Sequence, residues 1–206
     1  IARDFGYLGL HGLAQIWENN FQSLQRLEML RGHFYNWYDT ETLQPLAPRY
    51  VSTVDSGNLA ACLLTMQVGA QEVLREPVLR KELLDGIRDS LDLLKQACEQ
   101  IGEEDSKANR ALAKTLQEST DALAAALPVT IHDLAGWQKL FQQLAQFTAG
   151  LPLIRVAVDH REELLRLSQK IEIVRRRFQH LQNDQQALLP WLPLIADRGQ
   201  SVLSAN

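Results

Sequence analysis

The chain has 206 residues, 46% of them hydrophobic, 22% charged and 7% aromatic, and a formal net charge of −4. That length supports one ordinary domain or two small ones, and the composition excludes a disordered, collagen-like or disulfide-stapled chain. The mildly acidic balance gives no electrostatic footing for nucleic acid, and the longest apolar run, residues 59–66, is interrupted by Thr65 and falls far short of the roughly 20 residues that cross a bilayer.

The chain opens at Ile1 with no basic n-region or small-residue cleavage site, so no signal peptide is expected. Residues 201–206 trail off without a cap, and the whole reads as a piece of something longer. Cys62 and Cys98 are too few for a four-cysteine zinc site and fit a reducing compartment.

Glycine and proline gather at junctions, and helical patterns fill the gaps. Residues 1–8 read as the tail of a helix broken near Gly9 and Gly12. Residues 13–31 carry Ile16, Phe21, Leu24, Leu27 and Leu30 near helical spacing, with Gly32 as a C-terminal stop. Residues 33–54 form a non-helical stretch in which residues 50–54 can pass for a very short strand. Asp55 and Ser56 are candidate N-caps for a helix over residues 56–75 with Leu59, Leu63, Met66 and Val73 as its stripe.

Pro77 suits the first turn of a helix over 77–101, whose apolar face holds Leu79, Leu83, Ile87, Leu91, Leu94 and Ile101. Another helix is expected over 104–126, ended by Pro128. Thr130 or Asp133 should cap the next, in which Trp137, Leu140, Phe141, Leu144 and Phe147 make the most regular amphipathic pattern of the chain. The longest helix should start near Ile154 or Arg155 and run to Leu188, with Leu164, Leu167, Ile171, Val174, Phe178 and Leu181 in heptad-like steps. A stripe that long needs partner helices, and two antiparallel neighbours are the economical solution. The fold class is therefore all-α.

The chemistry is densest in the segment His33-Phe-Tyr-Asn-Trp-Tyr-Asp39, followed by Arg49, Tyr50, Asp55 and Asn58. Flat aromatic faces stack on the C–H surfaces of sugars while Asp, Asn and Arg bridge neighbouring hydroxyls, so this composition on a loop suits a carbohydrate groove. The alternative is that Phe34, Trp37 and Tyr38 plug the core beneath a long loop. A groove requires Trp37 or Tyr38 to be exposed with Asp39 or Arg49 near the same surface. A structural loop requires rings buried against Leu24, Leu27 or Leu63 and Arg49 paired with Asp39 or Asp55. Asp39 and Asp55 could be imagined as a glycosidase pair, but Asp55 is already placed as a helix cap. His11, His33, His132, His160 and His180 are scattered, so no metal site and no cofactor is expected. Arg175, Arg176 and Arg177 read as a solvated helix face, and residues 159–163 as a charged first turn.

Residues 31–60, RGHFYNWYDTETLQPLAPRYVSTVDSGNLA, resemble the signature of bacterial cyclic β-1,2-glucan synthases. ARDFGYLGL at residues 2–10 resembles the helix that precedes that signature, and LPWLPLI at 189–195 resembles the end of a helical insertion. The resemblance implies a place in the central, glycosidase-like region that closes the glucan ring by transglycosylation, a helical toroid of the (α/α)6 type. On it, residues 1–76 would be early toroid helices with the signature loop, and 77–206 a long antiparallel helical hairpin or bundle. Asn36, Trp37, Tyr38, Asp39, Arg49, Tyr50, Asp55 and Asn58 would be glycan-contact or loop-structuring positions, with the catalytic carboxylates beyond Asn206 and the isolated chain inactive. β-1,2-Glucan and the rest of the synthase are the implied partners. The implied setting is a membrane-bound parent on the cytoplasmic side of the inner membrane, with this segment outside the bilayer. The competing reading is a non-catalytic helical scaffold or protein-interaction module.

Overall fold

The computed structural model describes residues 1–102, 105–153 and 162–194. It is all-α apart from one two-stranded ribbon. The elements are α1 (Leu10–Arg26), β1 (Met29–Leu30), β2 (His33–Phe34), α2 (Thr53–Val73), α3 (Lys81–Glu99), α4 (Lys107–Ala126), α5 (Leu134–Gly150) and α6 (Glu162–Leu188). They fall into two compact units, one of Ile1–Leu13 with Val78–Asn206 and the other of Ala14–Pro77.

In the first unit α6 packs against α3 and α5, and α4 against α3 and α5. Each helix contributes a single apolar stripe, and the stripes close on one core. Leu83, Leu84, Ile87, Leu91 and Leu94 of α3 are buried, with Leu116 and Leu123 of α4, Trp137, Leu140, Phe141 and Leu144 of α5, and Leu167, Ile171, Val174, Phe178 and Leu181 of α6. The α3–α4 pair is antiparallel, since Lys95 meets Asp121 at 2.8 Å while Arg88, one helix end earlier, donates to the Pro128 carbonyl at 2.5 Å. Antiparallel too are α5 and α6, with Phe147 against Phe178 at 5.9 Å and Arg175 at the carbonyls of Leu151 and Pro152.

The caps fix where these helices start. Ser106 accepts from the Asn109 amide at 3.1 Å, so α4 begins at Lys107 and not at 104. Asp133, not Thr130, caps α5 by accepting from the Gly136 amide at 2.6 Å. Pro77 lies four residues ahead of α3 and outside its first turn. The expected start of the last helix near 154, His160 and the charged turn at 159–161 lie outside the described residues, as do residues 195–206. The three arginines are not one solvated face. Arg176 is exposed and pairs with Glu172 at 2.7 Å, but the Arg175 side chain is 15% exposed and donates to the carbonyls of Leu151 and Pro152, just past the end of α5. Arg177 is half-buried over the Tyr7 ring, where burial pushes its guanidinium down to about 10.

Residues 1–8 form hydrogen-bonded turns and no regular helix, with Phe5 N bonded to Ile1 O and Tyr7 N to Ala2 O.

The second unit departs most from expectation. α1 stops at Arg26, and Gly32 ends no helix. It forms with Arg31 the two-residue turn of the β1–β2 hairpin, both at positive φ (51° and 84°), which is the type I′ geometry that matches the twist of a hairpin. Residues 50–54 make no strand. Ser52 is extended and its hydroxyl accepts from the Asp55 amide at 3.1 Å, so α2 begins three residues before the expected start and Asp55 lies in its first turn. No residue of α2 is buried, and Leu63, expected on a core stripe, is exposed.

Candidate functional site

The loop between β2 and α2 is organised from within. Asn36 is its clasp: its amide donates to the Tyr50 carbonyl at 2.9 Å, its Oδ1 accepts from the Ser52 amide at 2.9 Å, and its Nδ2 donates to Asp55 Oδ2 at 2.9 Å. One side chain thereby joins the loop's entry, its exit and the first turn of α2. The Asp55 carboxylate beside the free amides of that turn is where the helix dipole favours negative charge.

Residues 37–46 fold back on themselves. Tyr38 bridges to Pro45, Leu46 N bonds Trp37 O at 3.0 Å, and Leu43 turns at φ 60°. Asp39 holds the tip, its Oδ1 accepting from the amides of Thr42 at 2.7 Å and Glu41 at 2.9 Å. Those bonds, Thr42 first, hold its carboxyl below the usual carboxylate range. The Asp39 contribution to the turn is thus present above the ordinary value of 3.8 and is lost as pH falls through the lowered one. The Ala47–Pro48 peptide bond is cis.

Glu28 anchors the other side. Its carbonyl accepts the Tyr38 hydroxyl at 2.7 Å, the same hydroxyl accepts from the Tyr35 amide at 2.8 Å, and its carboxylate pairs with Arg49 at 2.7 Å. The Arg49 guanidinium also lies over the Tyr35 ring at 5.7 Å. Arg49 therefore pairs with neither Asp39 nor Asp55, the partners expected if the loop were structural. Glu28, Tyr35 and Ser52 were not singled out from the sequence. The last carries a signal, since Ser52-Thr-Val-Asp55 is the spacing of a helix-capping pair.

What remains free is aromatic. Trp37 and Tyr50 are each 52% exposed and stack on one another, centroids 6.2 Å apart and planes inclined by 28°. Asn58 is exposed on α2. A cleft of about 400 Å³ opens beside the clasp, floored by Phe34, Tyr35, Leu59 and Leu63 and edged by Asn36 and Asp55. Its size is that of a small-ligand pocket. The structure thus gathers Asn36, Asp55 and the cleft on one side of the clasp and leaves Trp37 with Tyr50 as an open stack. Tyr38, Asp39 and Arg49 are committed to the loop's own hydrogen bonds. Among the described residues no three of His, Cys, Asp and Glu converge closely enough to hold a metal ion, and no helix is long and apolar enough to cross a membrane.

No protein-family profile matches the chain. Among curated proteins it is similar to the cyclic beta-(1,2)-glucan synthase NdvB of Rhizobium meliloti (strain 1021), 36% identical over 160 residues. The match takes in 77% of this chain, which spans 6% of the length of that protein. Over those residues the chain is an NdvB-like sequence, similar to a cyclic β-1,2-glucan synthase, as the signature at residues 31–60 implies.

Proposed function

We propose that this chain is a helical segment of the ring-closing, transglycosylating region of a cyclic β-1,2-glucan synthase, where it contributes contacts to the glucan and no catalytic carboxylate. The observation that carries the glycan contact is the Trp37–Tyr50 stack. Two flat rings stand open to solvent on a loop whose polar side chains are already hydrogen-bonded, so little side-chain or loop entropy is lost when a sugar lies against them. A general acid needs a carboxyl raised toward neutrality opposite an ionised partner. Asp39 is shifted the other way by its turn amides, and Asp55 is tied to Asn36. Both fit positioning better than chemistry. The toroid placement is supported by α2, whose apolar side chains lie on opposite faces, as expected of a helix with neighbours on both sides.

A second reading, a helical scaffold without glycan contacts, is favoured by one observation: Asn36, Tyr38, Asp39 and Arg49 all spend hydrogen-bonding groups inside the loop. Titrating the chain with linear β-1,2-glucan while following tryptophan emission separates the two. The chain has four tryptophans, of which Trp137 is buried. The glycan reading expects a saturable change at millimolar glucan that disappears in Trp37→Phe with the helical content unchanged. An unchanged spectrum of the wild-type chain favours the scaffold.

A further inference from the structure

α1 starts on a glycine. The Gly9 carbonyl accepts from Leu13 N at 3.0 Å, which makes Gly9 the cap residue, yet it has no side chain to satisfy the open amides of the first turn. Asp184 of α6 takes that part from 172 residues beyond Gly12. Its Oδ1 accepts from the Gly12 amide at 3.2 Å, the Leu10 amide also donates to it, and a Cβ on Gly9 would fall inside its carboxylate. The residue is only 6% exposed. Other side chains of the unit grip the same segment by its backbone: Arg80 donates to the Arg3 carbonyl at 2.6 Å and Arg177 to that of Gly6 at 3.2 Å. Gly6 sits at φ +69°, where a Cβ would collide with the Glu82 carbonyl. Tyr7 is held by its side chain as well, its hydroxyl donating to Asp89 at 2.7 Å.

We propose that residues 1–13 form a strap that the Asp184 carboxylate latches onto the α3–α6 bundle, and that the latch holds more firmly in acid than at neutral pH. The titratable side chains facing the carboxylate are His11 from α1 and His180 from α6, while Arg80, Arg177 and Asp89 engage the strap further back. Burial pushes the Asp184 carboxyl above the usual carboxylate range, and the amides of Gly12 and Leu10 with the two imidazoles offset only part of that. A carboxyl raised in the latched state and ordinary in the released, solvated one binds its proton more tightly when latched. The latching free energy is therefore most favourable below the ordinary value of 3.8 and declines as pH rises through the raised one.

Hydrogen exchange of the Leu10 and Gly12 amides in the 206-residue chain, corrected for intrinsic rates and referenced to Leu140 and Leu144 of α5, tests this at pH 4 and pH 8. The expected result is lower protection of the two strap amides at pH 8 than at pH 4, with the α5 amides unmoved, and a difference that vanishes in Asp184→Asn. Equal protection of the wild-type strap at both pH values overturns the proposal, as does a full wild-type difference in Asp184→Asn. Should that variant fail to fold, the double variant His11→Gln with His180→Gln decides it. A pH difference that survives there belongs to Asp184, and its complete loss would assign the dependence to the histidines and overturn the proposal.

Discussion

Asn36 is a small side chain with three duties, and its energetics differ from those of the rings around it. Replacing it with alanine leaves the Ser52 amide and the Asp55 carboxylate without their partners at the start of α2. Losing hydrogen bonds of which one ends on a charged group costs about 1–3 kcal/mol. Asn36→Ala should therefore lower the unfolding free energy by that amount, whereas Trp37→Ala, at an exposed position stacked on the Tyr50 ring, should change it by less than about 1 kcal/mol. A denaturant series on the two variants checks the contrast. Equal losses would mean that the stacked rings hold the loop as firmly as the clasp does. The sequence pattern exposes the composition of this loop but not the division of labour within it. Asn36, Trp37 and Asp39 looked alike as sugar contacts, and only the backbone path tells which has amides within reach.

At the scale of elements, the helices with one apolar stripe are those whose placement periodicity decides. Trp137, Leu140, Phe141 and Leu144 on α5 and all six stripe positions of α6 are buried where the spacing puts them. The Phe178 side chain, fully buried against Phe147, should cost about 3–5 kcal/mol on truncation to alanine. The arginine run on the same helix should split in spite of its uniform sequence. Arg176→Ala removes an exposed, solvent-screened pair with Glu172 and should change stability least. Arg175→Ala uncaps the carbonyls of Leu151 and Pro152 and should cost about 1–3 kcal/mol. Thermal or chemical unfolding of the three variants tests the order Phe178, Arg175, Arg176. What periodicity could not carry is long-range capping. Nothing near Gly9 in the sequence announces Asp184, and nothing in Arg175-Arg176-Arg177 says which arginine faces the end of α5. Boundaries moved for a related reason: α2 was expected to start on Asp55 or Ser56, but the cap is the serine whose amide is already held by Asn36.

At the scale of the whole molecule the two units differ in how their apolar residues are used. In the α3–α6 unit the stripes converge, but on α2 Val54, Leu64 and Val68 share one side while Leu63 takes the opposite one at roughly 100° per residue, and all four are exposed. Ile16 and Phe21 of α1 are exposed as well. An all-round apolar helix is a helix meant for burial. The stripe expected on this helix is half-buried at Leu59, Met66 and Val73 and exposed at Leu63, so it closes on no fully buried core within the described residues. Apolar surface of this extent drives association in water. The isolated chain should therefore self-associate increasingly with concentration, as read by sedimentation velocity, and the pair Leu64→Lys with Val68→Lys should make it more nearly monodisperse. Since neither position is buried in this chain, the double variant should keep the unfolding midpoint of the α3–α6 core within about 0.5 kcal/mol of the wild type. In a synthase whose neighbouring helices cover α2, the same two lysines would have to be buried without partners and should abolish folding of that region. A lysine pair tolerated in both settings would show that the face stays open in the assembled enzyme, and would count against placing α2 inside a toroid.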